Sequence, residues 1–324
     1  MIGSSAVFRL KAEATGGMAN RPRTCELQTA TCGSIFLAAI AISSCAANPH
    51  PAVPDQFVSL NSHSLRLHFE NAEAAAPRPL LVYATGDGGM HRKDLDTYRH
   101  LAALGDPIVG FDARDYVTHL GKDTPTTTPE RLADDYSQII MRARQALGLD
   151  PHCAVVLVGV SRGAGLAVVA AGRLRHSISG VVAVALTREE EYVRWYQHLP
   201  LPHESHPPVM VDVYAYLEQL GSLPIAVVQS THDQYLPAAK AREQFGPDTW
   251  SRWLQPIDAA NHNFGGARSQ MYAALQSALN WVATRPVGPA ARLRAEGATA
   301  RSRSSLGGGG SEPAKRLARE RVGE

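Results

Sequence analysis

Cysteine is scarce in this chain and badly placed for bridging. Cys25, Cys32 and Cys45 lie near the amino terminus, and Cys153 stands alone in the body. Once a leader is lost, Cys153 has no partner. That excludes an intramolecular disulfide and a cysteine-based zinc site, and it reads Cys153 as a small buried hydrophobe. A strong charge of either sign is also missing, since 32 Lys and Arg face 30 Asp and Glu for a formal net charge of +2. The balance is uneven along the chain. Residues 285–324 carry nine basic and four acidic side chains, the first 45 carry four and two, and the middle is left at −5. A mildly acidic body with a basic tail excludes nucleic acid as the main partner. The apolar run Gly33–Ile42 is too short for a permanent membrane span.

What is present begins with an address. Arg21 and Arg23 precede the apolar run, as the basic region of a secretory leader does. Ile42-Ser43-Ser44-Cys45 resembles a bacterial lipobox, which makes Cys45 the candidate lipidated residue. Ordinary cleavage near Ala46-Ala47 is the rival, and a buried amino-terminal helix the third reading. Met18 is a more usual start, with residues 1–17 as an extension. The expected organisation is a leader at 1–45, a Pro/Ala linker at 46–54, a single domain at 55–284 and a disordered basic tail at 285–324. The expected location is the periplasm, with membrane association through a lipid anchor at Cys45 as one form.

Within the domain, Phe57–Leu60 and Leu65–Phe69 alternate apolar and polar residues around Asn61-Ser62, an antiparallel hairpin. Buried-strand runs follow at Leu80–Tyr83, Pro107–Phe111, Ala154–Val158, Gly180–Leu186, Pro224–Val228 and Trp253–Ile257. Helical patterns fall at Leu95–Leu104, Glu130–Leu147, after the strands at 154–158 and 224–228, and at Met271–Ala283. Strands separated by helices imply a mostly parallel, doubly covered sheet. A hairpin leading into such a sheet is the start of an α/β-hydrolase fold. Residues 187–222 interrupt the rhythm and read as a small cap.

Gly159-Val160-Ser161-Arg162-Gly163 joins the strand at 154–158 to an Ala-rich helix. This is the strand, tight turn and helix of a nucleophile elbow, with Ser161 at its apex. A serine hydroxyl needs a base, and the base needs an orienting acid. In this fold the order is Ser, then Asp or Glu, then His. Asp233 follows the strand at 224–228 and His262 follows the last strand, so both loops open on the edge that carries Ser161. Asp233 also reads as a helix N-cap, and His232 lies beside it. The candidate oxyanion hole combines the amide of Arg162 with the loop Ala84-Thr85-Gly86-Asp87-Gly88-Gly89-Met90, in particular Asp87 and Gly88. No Lys-Ser/Thr follows those glycines, which argues against a phosphate-binding loop. No cofactor and no metal is expected.

Four segments together resemble the bacterial VirJ/AcvB virulence-protein family. They are Tyr83–Gly89, Val109–Tyr116, Thr128-Pro129-Glu130 with Asp134, and Gly159–Ala164. The likeness covers about residues 79–284. It implies an exported α/β-hydrolase-like protein, with an aminoacylated phospholipid such as lysyl-phosphatidylglycerol as ester substrate, or an attachment to secretion machinery. The sequence departs from the family's pattern at Met90, where a Trp is usual, at Val160 and Arg162, where aromatics flank the serine, and at Asn263, where a second His follows the first.

Tyr192, Trp195, Tyr196, Tyr214 and Tyr216 concentrate aromatics in the cap segment, for core or lid packing or for an amphiphile. His198, His203 and His206 are close enough to invite a metal reading, but their Pro-rich setting lacks helical or strand geometry. Asp87 is the candidate partner for a cationic substrate group, or a brace for its own loop. Two functions follow: an exported serine hydrolase cleaving an ester, or a non-catalytic periplasmic component binding envelope or secretion-system proteins.

Overall fold

The computed structural model describes residues 53–60, 63–71, 78–123, 128–191 and 210–285. The expected leader with Cys45, most of the linker, the Asn61-Ser62 turn, residues 192–209 of the expected cap and the tail from 286 lie outside the described residues.

Strands β1 (Gln56–Leu60) and β2 (His63–Glu70) pair antiparallel, and β2 runs antiparallel to β4 (Ile108–Phe111). From there the sheet is parallel through β3 (Leu80–Ala84), β5 (Val155–Val160), β6 (Gly180–Val184), β9 (Ile225–Ser230) and β10 (Arg252–Ile257). The spatial order is β1-β2-β4-β3-β5-β6-β9-β10. Two short strands, β7 (Glu189–Glu191) and β8 (Met210–Asp212), form a separate antiparallel pair within the region expected to be a cap.

The period-two geometry of a strand sends successive side chains to opposite faces, and here both faces are apolar. Leu80, Val82, Val155, Leu157, Val181 and Val227 pack on one side, against α3 (Pro129–Ala146), α4 (Arg162–Leu174) and α5 (Ala238–Phe245). Leu81, Tyr83, Val156, Val158, Val182 and Val228 pack on the other, against α1 (Arg92–Ala102) and α6 (Arg268–Ala283). Parallel strands all end at the same edge, so their following loops gather there.

Some boundaries differ from the sequence reading. Helix α1 begins three residues earlier, at Arg92, whose φ of +41° hides the start of the helix from pattern. Helix α2 (Ala113–Asp123) was not expected at all. Strand β6 stops at Val184 because Ala185 turns to φ +54°. In α3, Thr128 caps the first turn, Pro129 opens it, and the inward carboxylate is Asp135. The Tyr116 hydroxyl donates to Asp135 Oδ2 at 2.8 Å. Cys153 is half-buried and accepts from Arg144 Nε at 3.4 Å.

Two glycines set how closely β5, α4 and β3 approach. A Cβ on Gly159 would overlap the carbonyl of Gly163, and a Cβ on Gly163 would overlap the carbonyl of Ala84. Backbone cannot retreat as a flexible side chain can. Gly159→Ala and Gly163→Ala should each lower unfolding stability by about 3 kcal/mol or more, at the upper end of overpacking costs. Gly172→Ala, later in α4, would meet side chains and not backbone, Gln219 Cβ and Oε1 at 3.3 Å and Tyr216 Cδ1 at 3.8 Å. It should cost far less than either, because a side chain can shift by a few tenths of an ångström and helix propensity offsets up to about 1 kcal/mol. Urea titration of the three variants tests this; equal losses in all three would refute the packing argument.

Candidate active site

Ser161 occupies the single residue between β5 and α4, with φ +50° and ψ −116°. Such a conformation costs energy for a residue with a Cβ and persists only where neighbours fix it. Here the Ser161 N–H donates to the Val184 carbonyl at 2.8 Å, and its own carbonyl accepts from Ala164 N at 2.8 Å and Gly165 N at 3.1 Å. The hydroxyl is thereby held off the sheet edge, 2.8 Å from His262 Nε2.

His262 comes from the loop after β10. That loop is tied by Asn261, whose Oδ1 accepts from Asn263 N at 3.0 Å and Gly265 N at 3.1 Å. The His262 amide donates to Gln234 Oε1 at 3.1 Å, and the Tyr235 ring stands edge-on with centroids 4.9 Å apart. His262 Nδ1 lies 2.6 Å from Asp233 Oδ2.

Asp233 is 1% exposed, and a buried carboxylate needs donors. It has them: Tyr235 N at 2.8 Å and Leu236 N at 3.3 Å on one oxygen, and Gln229 Nε2 at 3.1 Å beside His262 on the other. The Gln229 amide also donates to Leu236 O at 2.7 Å. With both oxygens occupied, His262 Nδ1 carries the hydrogen toward Asp233 and Nε2 is left to accept from Ser161. The N-cap of α5 is Pro237, so Asp233 does not cap that helix. His232 turns the other way, its ring near Thr231, Asp258 and the Ala259 carbonyl.

The glycine loop after β3 stands beside this group. Gly86 lies so close that a Cβ there would sit 3.4 Å from Ser161 Cβ. Its N–H donates to Asp94 Oδ1 at 3.0 Å, Gly89 N donates to Gly86 O at 3.1 Å, and Met90 N donates to Asp112 Oδ2 at 2.9 Å. Those three amides are already committed to acceptors in the loop, in α1 and after β4. Asp87 and Gly88, at the tip of the loop, stay the candidates for the second oxyanion donor together with the amide of Arg162. Asp112 also accepts from Asp115 N at 2.9 Å, joining the loop to α2. Asp87 is paired with Arg162 Nε, so the carboxylate expected to meet a cationic substrate group is already engaged.

A cleft of about 1120 Å³ opens over Ser161 and His262. Arg92, Lys93 and Arg188 line it with Asp94, Glu189, Tyr235 and Met210. Tyr214 and Tyr216 are not part of that lining; they pack against the core on the α4 side. Tyr192, Trp195 and Tyr196, like His198, His203 and His206, lie outside the described residues. Among the described residues, no group of three His, Cys, Asp or Glu could hold a metal ion.

Four residues of this site escaped sequence reasoning: Gln229, Gln234, Asp94 and Asp112 in its bracing role. Gln229 carried a signal, as a polar residue within the apolar strand Ile225–Ser230. Asp94 carried a weaker one, an acid in the first turn of α1.

Comparison with known proteins follows the same division. Residues 79–194 match the model of a family described as bacterial virulence protein (VirJ). This segment of the chain is VirJ-like. It holds β3, the glycine loop and the elbow, and it ends before Asp233 and His262. Est1E from Butyrivibrio proteoclasticus superposes with a TM-score of 0.51 at 12% identity, covering 71% of this chain and 99% of that one. A protein from Klebsiella pneumoniae subsp. pneumoniae MGH 78578, provisionally assigned as a dienelactone hydrolase, gives 0.51 at 14%, covering 72% and 100%. An α/β serine hydrolase without lid from Xanthomonas campestris gives 0.48 at 17%, covering 71% and 97%. At such identities the likeness shows the fold, and the fold is that of the α/β-hydrolases. No curated protein matches the sequence.

Asp94 supplies a test of the loop brace. Burial pushes its carboxyl above the usual range, against the opposing pull of the Gly86 N–H, Arg268 and the Tyr83 hydroxyl. A carboxyl raised in the native state binds its proton more tightly folded than unfolded, so its ionisation costs stability. Asp94→Asn keeps an acceptor for Gly86 without that ionisation. The stability of wild type relative to Asp94→Asn should therefore fall as pH rises from about 4, the ordinary carboxyl range, through the raised native value. Urea unfolding of both proteins across that window measures it; a difference independent of pH would show that Asp94 does not titrate as described.

Proposed function

We propose that the chain is an exported serine hydrolase that cleaves an ester. The observation that carries this reading is the unbroken relay from Ser161 Oγ to His262 Nε2 at 2.8 Å and from His262 Nδ1 to Asp233 at 2.6 Å, at the floor of an open cleft. In this reading Ser161 attacks the acyl carbon while His262 Nε2 takes its proton. Asp233 holds the imidazole in the required tautomer and stabilises the imidazolium that forms. The amides of Arg162 and of Asp87 or Gly88 receive the developing oxyanion. His262 then returns the proton to the leaving alcohol, and a water repeats the sequence on the acyl-enzyme.

The substrate class we favour is an aminoacyl ester of a membrane lipid such as lysyl-phosphatidylglycerol. A cleft of about 1120 Å³ is large enough for a head group with its ester. Its lining offers both signs of charge, with Arg92, Lys93 and Arg188 suited to a phosphodiester and Glu189 to an ammonium. Export through the leader, with a lipid anchor at Cys45, would hold the enzyme within reach of bilayer head groups. Such an ester is an activated acyl donor and asks little help for its leaving group. A surface for envelope or secretion-system proteins remains the other reading of the VirJ likeness, and it requires no reactive serine.

A fluorophosphonate probe should label wild-type protein at Ser161 and fail to label Ser161→Ala. His262→Ala should lower kcat by about 10⁶-fold and Asp233→Asn by about 10⁴-fold, as for serine enzymes whose triad members act as a unit. A dead Asp258 or His232 variant beside a healthy Asp233→Asn would move the acid elsewhere.

Purified protein incubated with lysyl-phosphatidylglycerol should release free lysine. Rapid turnover of short-chain esters with the lipid untouched would make the protein a general carboxylesterase. In a Gram-negative cell the wild type should fractionate with membranes and Cys45→Ala should not. A soluble periplasmic wild type would favour ordinary leader cleavage.

A further inference from the structure

Arg162 sits where a cation is least expected. It follows the candidate nucleophile directly and opens α4, and the positive end of a helix dipole disfavours a basic side chain. It is also only 3% exposed, and a buried guanidinium persists only when paired. The partner is Asp87, 75 residues earlier in the chain and at the tip of the glycine loop, which accepts from Arg162 Nε. The two segments joined by this ion pair are the two that carry the candidate oxyanion donors.

The loop tip is a turn closed by Gly89 N donating to Gly86 O at 3.1 Å. Gly86 is fixed by Asp94 and Met90 by Asp112, and Asp87 is the residue of the Gly86–Gly89 turn with a side chain to anchor it to the elbow. Glycine enlarges the range of backbone conformations open to such a segment. A donor displaced by about 1 Å from a developing oxyanion forfeits much of its effect. We propose that Arg162 and Asp87 are a positioning pair, a clasp that sets the separation of the backbone donors on either side of the oxyanion. The inference rests on the serine-hydrolase reading of the site. It assigns the pair no contact with substrate. It also accounts for an arginine in place of an aromatic residue after the serine: Arg162 lines the cleft while its guanidinium reaches across to the loop.

The test uses full-length protein, a p-nitrophenyl ester, and an alkyl trifluoromethyl ketone, which binds as a tetrahedral adduct that draws on the oxyanion donors. Asp87→Ala should lower kcat by about 10- to 100-fold, less than the loss for deleting a donor outright, with KM little changed. Affinity for the ketone should weaken by a similar factor, and the thermal midpoint should stay near that of wild type. Asp87→Asn should fall between, and Asp87→Glu should recover part of the loss because it restores the charge pair. Arg162→Lys should lose activity as well, since an ammonium lacks the guanidinium's planar fork. If burial makes that variant unstable, the Asp87 series still decides, because Asp87 is 47% exposed. A wild-type kcat and ketone affinity in Asp87→Ala overturn the clasp, as does a loss confined to KM or to the thermal midpoint. A wild-type protein that neither turns over ester nor reacts with fluorophosphonate overturns the hydrolase reading and the clasp with it. An active wild type beside an indifferent Asp87 series removes the clasp alone.

Discussion

The geometry of the site descends from one backbone requirement: the chain must pass from β5 into α4 through a single residue, Ser161, held at φ +50°. The turn is so tight that β5 and the first turn of α4 touch, which is why Gly159 faces the Gly163 carbonyl and Gly163 faces Ala84. Contact with Ala84 in turn fixes the end of β3, and with it the start of the glycine loop. A serine without a compact neighbourhood would relax out of this conformation, so the hydroxyl's exposure is a consequence of packing below it. The parallel sheet does the rest, because β9 and β10 end at the same edge and deliver Asp233 and His262 there.

Three carboxylates around the site share one arrangement, in which each is bound to backbone N–H groups of the segment it must hold. Asp233 takes the amides of Tyr235 and Leu236, Asp94 takes that of Gly86, and Asp112 takes those of Met90 and Asp115. Away from bulk water such charge-assisted bonds are shorter and stronger than neutral ones. They also make each loop's shape depend on a named side chain. The burial that raises Asp94 above the ordinary carboxyl range is the cost of using it as an internal anchor.

Sequence revealed the parts of this design that depend on order and pattern. A strand, a Gly-x-Ser-x-Gly turn and a helix identify an elbow from neighbours in the chain, and the order Ser161, Asp233, His262 needs only that the strands be parallel. It did not reveal partners that depend on side-chain direction. Gln229 and Gln234 reach Asp233 and His262 through rotamers that no periodicity encodes. Arg92 at φ +41° breaks the start of α1, and α2 opens only two residues after the strand ends at Phe111, without a loop between them to announce a new element. Asp134 and Asp135 differ by one step of a helix, which suffices to exchange an exposed carboxylate for one bonded to Tyr116. Asp87 was legible as a loop carboxylate, but its engagement by Arg162 was not.

The likeness to VirJ and the geometry divide the site between them. The matched segment, residues 79–194, contains β3, the glycine loop, Asp112 and the elbow. Its Gly-Asp-Gly-Gly and Gly-x-Asp motifs form one physical unit. Gly110 leaves room for the Tyr98 ring, where a Cβ would approach to 2.7 Å, and Asp112 ties down the far end of the loop. Nothing in that unit demands a base. The base and its acid come from the loops after β9 and β10, beyond residue 194, and reach Ser161 only through the folded sheet. A chain that used the unit merely to present a surface would have no need to bury Asp233 among three N–H donors and align His262 between it and a serine. That expenditure of buried polarity is what favours chemistry over docking as the use of this edge.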